Sequence, residues 1–475
     1  MEQPRSASVL AQYPQPDTAR LSAALAAEAN ANQRKIIVLD DDPTGVQTVH
    51  DIFVYTDWSI ESLRKGFAAP EKLFFILTNS RGFTAAETTK AHIEIAEHVD
   101  QVAREFGMDY LIISRGDSTL RGHYPLETDL LRQVAEKKGG FAMDGEILCP
   151  YFKEGGRFTL DNVHYVRYGD ELVPCGQTEF AKDETFGYTS SNLCDYIEEK
   201  TAGKFRAGDV TCISLESLRA LDFDGIEAQL LAVHDFGKVV VNAVEDCDVQ
   251  AFAVALYRAM AKGRHFTIRC AAALVKAIGN ISSQPLLSRE QMVTLKSSAG
   301  GIIVVGSHTK KTTAQLEELK NVPGIEFIEM DSDKVLIPGA LEQEAASIIE
   351  RCAQLIQQGA TCCVSTKRTV LTLPDDTPEA ALVRSVAISD ALQSCVGKLP
   401  VTPAFVVAKG GITSSDVGVK ALRVQCARVL GQIRPGIPVW QTGPESLFPG
   451  TPYVIFPGNV GEVSTLREAV EILLG

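Results

Sequence analysis

The sequence predicts an α/β protein with two domains, each a mainly parallel sheet flanked by helices. Short apolar runs of the kind that form buried parallel strands alternate with stretches of helical character along most of the chain. Several of these runs stop at polar or glycine-rich turns, which is typical of the carboxyl ends of strands in open sheets. The 475 residues also exceed the usual size of one domain. Because ligands of such sheets bind at those strand ends, we expect the functional residues there.

Composition indicates a globular protein of a reducing compartment. The chain is 45% hydrophobic and 22% charged, and its net charge of −14 argues against a nucleic-acid partner. The 11 cysteines are scattered without a CxxC pair, so they predict buried thiols rather than a zinc site or a disulfide framework. No apolar stretch reaches the length of a membrane span, and the N-terminus lacks the basic start of a signal peptide. We therefore expect a cytoplasmic protein without a membrane partner.

Changes in composition along the chain predict its organisation. Residues 1–34 are rich in Ala, Gln and Pro and are expected to form an N-terminal arm with one helix around Thr18–Asn30. The arm should be a loosely packed extension, although it could pair with a partner subunit and so support a homodimer. A polar, helical stretch at 278–298 is expected to separate a first domain at 35–285 from a second at 286–475.

The first predicted strand, Lys35–Leu39, stops at three consecutive carboxylates, Asp40, Asp41 and Asp42, and a Pro-Thr-Gly turn follows. Adjacent carboxylates repel one another, and folded chains keep them mainly where a metal, a substrate hydroxyl or an arginine is expected. The alternative is a solvated turn, because Asp-Pro-x-Gly is also common turn chemistry. The strongly apolar strand favours the functional interpretation.

The elements that follow continue a doubly wound pattern of strands and helices. Thr84–Phe106 should be a helix, with a capping pattern between Thr84 and Glu87 and a stop at Gly107. A hairpin is expected at 158–173, and the loops beside it could cover the site. The other strands predicted in this domain are Ile52–Tyr55, Leu73–Leu77, Tyr110–Ile113, 210–215, 237–244 and, as an edge, Phe266–Arg269.

The stretch Ser114–Pro125 is the densest group of polar side chains in the chain. Arg115 and Arg121 supply planar guanidinium groups that match a carboxylate in bidentate fashion, and glycines allow a close backbone approach. Asp117 and Ser118 add polar groups between the two arginines. This composition predicts a site for a small anion. The alternative is an Arg–Asp pair that only holds the loop in place.

The second domain repeats one arrangement, in which a strand ends in a small or glycine-rich turn and a helix begins. Such a turn directs backbone N–H groups and a helix N-terminus towards one place, which suits phosphate. Neither the GxGxxG nor the Walker phosphate-binding pattern is present, and tight connections without a ligand are the alternative. The three turns are Gly306–Thr309, before a helix with the capping pattern Thr312-x-x-Gln315, then Lys409–Asp416 and Pro457–Gly461.

Taken together, five motifs resemble those of the four-carbon acid sugar kinase family, in the family order and across nearly everything after residue 35. They are Asp41–Gly45, Ser114–Gly122, Gly306-Ser307, Lys409–Ser414 and Pro457–Gly461. The resemblance implies an N-terminal domain that binds the acid sugar, a C-terminal domain that binds ATP, and substrates such as threonate, erythronate or an oxo-tetronate. The chain departs from the family pattern in its N-terminal arm and at 151–192, which bears on the substrate and not on the reaction.

The resemblance also implies the roles of individual residues. It places the acid sugar against Asp41, Asp42, Arg115, Asp117 and Ser118, and ATP against Ser307, Gly410, Gly411, Ile412, Thr413, Gly458 and Asn459. We expect Arg115 or Arg121 to bind the substrate carboxylate and Asp42, in preference to Asp41, to accept the hydroxyl proton. Mg²⁺ is required in principle to bridge phosphate oxygens, but the sequence names no ligand for it. The two domains must close for the groups to meet, so a hinge near residue 290 is expected.

Two other functions remain open from the sequence. Asp40-x-Asp42 after an apolar strand, with Thr78-Asn79 after a later one, is similar to the haloacid dehalogenase phosphatases, where Asp40 would be a nucleophile and Asp42 a general acid. That alternative gives no role to Ser114–Gly122 or to the second domain. A non-catalytic sensor of sugar acids is the third class.

Overall fold

The computed structural model describes residues 2–294, 298–374, 376–458 and 460–475. The chain forms two compact units, and each contains a sheet flanked by helices. Unit 1 comprises Met1–Gly45 and Asp57–Ser283, and unit 2 comprises Val46–Thr56 and Gln284–Gly475. Residues 46–56, which the sequence assigned to the first domain, therefore lie in the second unit.

The elements are numbered here in chain order. The strands are β1 (Arg5–Ser6), β2 (Lys35–Asp40), β3 (Ile52–Tyr55), β4 (Leu73–Leu77), β5 (Tyr110–Arg115), β6 (Gly145–Cys149), β7 (Arg157–Leu160), β8 (Val163–Tyr168), β9 (Glu171–Pro174), β10 (Thr211–Ile213), β11 (Gly237–Val241), β12 (Phe266–Cys270), β13 (Ile302–Val305), β14 (Ile325–Met330), β15 (Thr361–Thr366), β16 (Val406–Lys409), β17 (Cys426–Arg434), β18 (Ile437–Thr442) and β19 (Pro452–Phe456). The helices are α1 (Thr18–Ala31), α2 (Ile60–Ala68), α3 (Ala85–Phe106), α4 (Leu126–Gly139), α5 (Leu193–Lys200), α6 (Leu215–Arg219), α7 (Phe223–Ala232), α8 (Asp246–Ala261), α9 (Ala272–Ile278), α10 (Arg289–Met292), α11 (Lys310–Leu319), α12 (Ala340–Gln357), α13 (Pro378–Gly397), α14 (Gly411–Asp416) and α15 (Thr465–Leu474).

The central sheet of unit 1 has the strand order β10-β11-β6-β12-β5-β2-β4, and its neighbouring strands are parallel. All residues of β2 are buried, as its apolar sequence predicts for a strand covered on both faces. The strand predicted at Phe266–Arg269 is present as β12. Its predicted place at an edge of the sheet is wrong, because β12 lies between β5 and β6. Since β2 lies between β4 and β5, the polar residues that follow these three strands meet at one edge of the sheet.

Helix α3 begins and ends as its sequence predicts. The Thr84 hydroxyl accepts the N–H of Glu87 at 3.3 Å, and the Glu87 carboxylate accepts the N–H of Thr84 at 2.8 Å. This reciprocal pair is a capping box, which satisfies donors that the first helical turn leaves free. The helix stops at Gly107, whose φ of 61° suits glycine better than any other residue.

A small antiparallel sheet with the order β1-β9-β8-β7 lies within unit 1. The hairpin predicted at 158–173 is thus part of a larger sheet, in which β9 pairs with both β8 and β1. The N-terminal residues are not the loosely packed extension that we expected. Leu21 of α1 is buried, and Glu28 forms an ion pair with Arg258 of α8 at 2.8 Å.

The sheet of unit 2 has the strand order β3-β17-β18-β19-β16-β13-β15-β14. Neighbouring strands from β19 to β14 are parallel, whereas the pairs from β3 to β19 are antiparallel. Residues 46–56 belong to this unit because β3 pairs with β17. Burial alternates along much of β17, as expected for a strand with one covered face.

Two predictions near the start of unit 2 are wrong in detail, namely the capping pattern Thr312-x-x-Gln315 and the helical stretch at 278–298. Helix α11 is capped by Thr309, whose hydroxyl accepts the N–H of Thr312 at 3.2 Å, and Thr312 itself is buried in the first turn. In the described part of 278–298, α10 and the last residue of α9 are the helical portions, so most of this stretch is an irregular connection. No helix in the described residues is long and apolar enough to cross a membrane.

Candidate active site

The aspartates that follow β2 are held by an arginine from the turn after β4. Arg81 donates to both oxygens of Asp41, from Nη2 to Oδ1 at 2.7 Å and from Nε to Oδ2 at 3.3 Å. The same guanidinium donates from Nη1 to Asp42 Oδ2 at 3.1 Å. One planar group therefore fixes two carboxylates side by side and offsets their repulsion.

Asp40 and Arg115 form a buried pair beside these residues. Arg115 Nη1 donates to Asp40 Oδ1 at 3.0 Å and lies 3.5 Å from Asp41 Oδ1. The Arg115 and Asp40 side chains are 4% and 2% exposed. Gly45 permits this packing, because a Cβ atom there would lie 2.0 Å from the Asp40 carboxylate. We expected Arg115 to bind substrate, but its burial and pairing favour a role in holding the aspartates.

The loop after β5 carries a second charged group. Arg121 Nε donates to Asp117 Oδ2 at 2.7 Å and to Thr119 Oγ1 at 3.2 Å, and the Thr119 hydroxyl donates to Asp117. The Arg121 side chain is partly exposed. Ser118, which we expected beside the substrate, is buried, and its carbonyl accepts the Nε2–H of His164 at 2.8 Å. Arg121 is therefore the more accessible of the two arginines that the sequence singled out.

Side chains from later elements hold this loop in place. The hydroxyls of Tyr188 and Tyr196 donate to the carbonyls of Thr119 and Leu120 at 2.7 and 3.0 Å. Leu120 has a φ of 68°, a region that residues other than glycine rarely occupy. The two tyrosine bonds surround this strained residue, which is how folded chains keep such conformations at functional sites.

Arg269 of β12 lies under the same loop. Its Nη1 donates to Ser114 Oγ at 2.8 Å and to the carboxylate of Glu127. A Cβ atom at Gly116 would lie 2.2 Å from the guanidinium carbon, so glycine is needed for this close approach. Arg269 and Glu127 thus form a buried ion pair that supports the polar loop.

Burial sets the protonation of Asp40. It raises the pKa of this carboxyl to about 7, with Arg115 opposing the shift and Asp41 and Asp42 adding to it. The Asp40 carboxyl group is therefore near the midpoint of its titration at neutral pH.

Asp42 and Asp117 differ from Asp40 because cations outweigh their burial. Burial opposes the ionisation of Asp42, but Arg81 and hydrogen bonds from Thr44 lower the pKa of this carboxyl overall. Burial also opposes the ionisation of Asp117, and Arg81 and Arg121 lower its pKa well below the ordinary value. Both carboxylates are therefore ionised at neutral pH.

Unit 2 contains a cavity of about 620 Å³ at the carboxyl ends of β13, β15 and β16, lined in part by Ser307 and the turn Gly410–Thr413. The turn packs closely, because a Cβ atom at Gly306 would lie 2.2 Å from Thr413 Oγ1. Gly410 has a φ of 122°, which glycine adopts without strain. Gly411 instead faces open space, since a Cβ atom there would meet nothing within 4 Å.

Two basic side chains lie beside this turn. Arg368 Nη2 donates to the Ser307 carbonyl, while its Nε and Nη1 are buried and have no hydrogen-bond partner among the described residues. Lys409 is fully buried, and its Nζ donates to the carbonyls of Pro457 at 2.6 Å and Gly458 at 3.2 Å. Lys409 thereby joins the turn after β16 to the turn after β19. Asn459, predicted as a nucleotide contact, lies outside the described residues.

Part of the cavity lining is apolar. Val370, Leu382 and Ile412 line it and are exposed to solvent. Aliphatic side chains next to a polar glycine turn suit a ligand with an aromatic base at one end and phosphates at the other. The residues present therefore fit a nucleotide.

The predicted residues fall into two groups, each within its own unit, but the sequence did not point to the arginines that organise them. Arg81 could have been predicted as a site residue, because it lies in a polar turn directly after β4, as the predicted residues do after β2 and β5. Arg269 lies inside a strand and Arg368 lies in a loop without a motif, so neither carries a local signal. Their positions follow from the order of the strands in each sheet.

Family comparisons divide the chain in a similar way. Residues 36–278 match the model of a sugar-binding N-terminal domain, and residues 302–466 match that of a nucleotide-binding C-terminal domain. The chain belongs to the four-carbon acid sugar kinase family. The resemblance predicted from the five motifs is confirmed, and so is the interpretation of the chain as a kinase.

One curated relative agrees with this assignment, and two solved structures share the fold. The D-threonate kinase of Salmonella typhimurium LT2 is 23% identical over 369 residues, which cover 76% of this chain and 80% of the relative. A crystal structure from the same organism, provisionally named a tRNA synthase, has a TM-score of 0.65 at 16% identity and covers 91% of this chain and 98% of its own. The Haemophilus influenzae protein HI1011 has a TM-score of 0.60 at 17% identity, with coverage of 92% and 100%. These similarities confirm the predicted fold class.

Mg²⁺ is expected in a kinase because it bridges phosphate oxygens. The described residues contain no group of three or more His, Cys, Asp or Glu side chains placed to hold a metal ion. Mg²⁺ in such enzymes is usually bound by one or two carboxylates together with the nucleotide phosphates. We therefore assign no protein ligand to it.

Proposed function

We propose that this protein transfers the γ-phosphoryl group of ATP to a hydroxyl of a four-carbon or closely related acid sugar, such as threonate, erythronate or an oxo-tetronate. The observation that carries the proposal is the aspartate cluster around Arg81 in the sugar-binding domain, in one chain with a glycine-turn cavity in the nucleotide-binding domain. The D-threonate kinase relative supports the choice of substrate class.

In unit 1, Asp42 is the candidate general base. Its side chain is 17% exposed, against 2% for Asp41. Arg81 orients the Asp42 carboxylate and keeps it ionised, so it can accept a proton from a hydroxyl within about 2.6–3.2 Å. Asp41 engages both of its oxygens with Arg81 and therefore acts by orienting that guanidinium. Asp117 is held by Arg121 next to the same strand ends and is a candidate to bind a substrate hydroxyl.

In unit 2, the turn Gly410–Thr413 and the hydroxyl of Ser307 are the candidate contacts of the phosphates, with Gly458 close by. Arg368 would add positive charge through its two unpartnered nitrogens, and the exposed apolar lining would pack against the base. Asn459 remains a proposed contact from the sequence. ATP, when bound, supplies the phosphoryl group and Mg²⁺ neutralises its charge.

The phosphatase alternative finds no support in the position of Asp40. A nucleophilic carboxylate must reach the substrate, whereas Asp40 is 2% exposed and bonded to Arg115. That alternative also leaves the nucleotide-binding domain without a role.

Incubation with ATP, Mg²⁺ and a panel of four-carbon and branched five-carbon sugar acids tests the proposal. We expect ADP release that depends on one of these acids, together with a phosphorylated acid detected by mass spectrometry. Binding of an acid without any turnover would contradict the kinase and favour a sensor. Release of phosphate from a phosphorylated acid in the absence of ATP would favour the phosphatase.

The proposal includes a cytoplasmic location and is compatible with a homodimer. Eight of the eleven cysteines are buried, which is usual for the thiols of proteins in a reducing compartment. Light scattering coupled to size-exclusion chromatography would decide between monomer and dimer.

A further inference from the structure

One arginine near the sugar-binding site has no hydrogen-bond or ion-pair partner among the described residues. Arg157, the first residue of β7, has a buried Nε atom without a hydrogen-bond partner. Across the described residues, its guanidinium makes no hydrogen bond and no ion pair. By contrast, Arg81, Arg115 and Arg121 each bond an aspartate. A buried guanidinium nitrogen without an acceptor is unfavourable, and an anionic ligand at Arg157 would supply one.

Arg157 is tied to the charged loop of the sugar site through an aromatic ring. The guanidinium carbons of Arg157 and Arg121 lie 5.5 and 5.1 Å from the ring centroid of Phe180, within the range of cation–π contacts. Arg121 in turn bonds Asp117. Burial lowers the pKa of Arg157 and Asp117 opposes that shift, as expected for a guanidinium that feels the site carboxylate.

The backbone around Arg157 is well fixed. Its N–H donates to the carbonyl of Phe152 at 2.8 Å, and the N–H of Phe152 donates to the Arg157 carbonyl at 3.0 Å. A strand and an aromatic ring therefore position this guanidinium, which is the kind of support that a binding group needs. Arg157 and Phe180 both lie in the region 151–192, where the sequence departs from the family motifs.

We propose that Arg157 and Arg121 form the subsite that binds the carboxylate of the acid sugar. A carboxylate would pair with the planar guanidinium of Arg157 in bidentate fashion and supply the anion that this group lacks. Arg121 adds a second set of donors, which Asp117 keeps in orientation. The proposal rests on the proposed function, since it assumes a sugar acid as substrate. It assigns to this pair the role that the sequence suggested for Arg115 or Arg121.

Calorimetric titration of the nucleotide-free protein with D-threonate and D-erythronate tests the subsite. We expect Arg157→Ala to bind the preferred acid roughly 10- to 100-fold more weakly than the wild type. Arg157→Lys should recover part of the affinity, because an ammonium supplies charge without the planar fork. Arg167→Ala is the matched control. Arg167 lies on β8 of the same small sheet, is 45% exposed, and should leave the affinity unchanged.

Kinetics separate a contact from a general structural effect. In the presence of ATP and Mg²⁺, Arg157→Ala should raise KM for the acid, while kcat changes only a few-fold and KM for ATP stays the same. A lesion in folding would instead lower kcat and the midpoint of thermal unfolding, and Arg157→Lys would be no better than Arg157→Ala.

The outcomes distinguish this proposal from the proposed function. Unchanged affinity and KM in Arg157→Ala would overturn the subsite and leave the kinase intact. An acid that the wild type binds through Arg157 but never phosphorylates would overturn the kinase and leave the subsite standing. A wild type that binds none of the four-carbon and branched five-carbon acids of the kinase panel would overturn both, because the subsite is defined by an acid of this class.

Discussion

Asp41 and Asp42 share the guanidinium of Arg81 but use it differently. Asp41 engages it with both oxygens, whereas Asp42 offers one oxygen to Arg81 and the other to the N–H and hydroxyl of Thr44. Asp42 also keeps more of its surface open to solvent. Of the two, Asp42 is therefore the carboxylate that a substrate hydroxyl can approach.

Replacement of Asp42 by Asn should lower kcat by about 10²–10⁴-fold, the usual contribution of a general base. The amide fills the same space and can still hydrogen-bond, so the affinity for the acid sugar should stay within a few-fold. Steady-state kinetics and titration together measure both effects. Asp41→Asn is the comparison, and it should weaken binding more than kcat because it disturbs Arg81. An Asp42→Asn enzyme with normal kcat would rule out this base.

Gly45 illustrates how a small residue supports the buried aspartate. An added Cβ would lie 2.0 Å from the Asp40 carboxylate, which Arg115 holds in place. Gly45→Ala should therefore lower the free energy of unfolding by about 1–3 kcal/mol, as overpacking usually does. Urea denaturation measures the change. Gly82→Ala, where a Cβ meets nothing within 4 Å, should shift stability by no more than about 1 kcal/mol. Equal stability of the two variants would contradict this account.

Among the elements, those defined by local sequence could be predicted and those defined by distant partners could not. Strand β2 and the capping box of α3 follow from an apolar run and from Thr84 and Glu87 alone. Strand β6 was missed because Glu146 interrupts its apolar pattern. That glutamate is buried against Lys238 of β11, a partner that only the fold supplies. Strand β3 was predicted, but its place beside β17 depends on residues near the other end of the chain.

The same limit applies to the candidate site. Polar residues after β2 and β5 could be located, because parallel strands present their carboxyl ends at one edge. Which arginine faces a ligand could not be decided, since Arg115 and Arg121 differ in burial, a property of the folded molecule. Arg157 lies outside every motif, and only the structure shows that its buried Nε has no hydrogen-bond partner among the described residues.

Lys409 connects two strand ends of unit 2, and its loss should loosen the nucleotide site. Lys409→Met removes the bonds to the carbonyls of Pro457 and Gly458. Leaving these acceptors without donors should cost about 1–3 kcal/mol of stability and weaken ADP binding. Urea denaturation and titration with ADP measure the two effects. Full ADP affinity in this variant would show that the two turns do not depend on each other.

The stability of unit 2 should also depend on pH through Lys409. Burial, with Lys311 adding to it, lowers the pKa of this ammonium to about 7. The unfolded chain keeps the proton up to about pH 10.4, so it binds more protons than the folded state between these values. The free energy of unfolding of the wild type should therefore rise relative to Lys409→Met from pH 7 to pH 10. If the free energies of unfolding of the wild type and of Lys409→Met changed equally with pH across this range, the lowered pKa of Lys409 would be contradicted.

In the whole molecule, the chain passes between the units at 45/46, 56/57 and 283/284. Each candidate site is nevertheless built from residues of one unit, the aspartate cluster from unit 1 and the glycine-turn cavity from unit 2. Substitutions in one site should therefore affect one ligand and spare the other.

Gly411→Val tests this separation. The valine side chain would enter open space beside the turn rather than collide with the protein, so the variant should fold and its cavity should be partly filled. We expect ADP binding to be abolished, because a side chain at a close backbone–phosphate approach excludes the phosphate. Binding of the acid sugar should remain within a few-fold of the wild type. Gly208→Val, also without neighbours within 4 Å but in unit 1, is the control and should retain both ligands. Calorimetric titrations with ADP and with the acid decide the matter, and unchanged ADP affinity in Gly411→Val would show that this turn does not hold the phosphates.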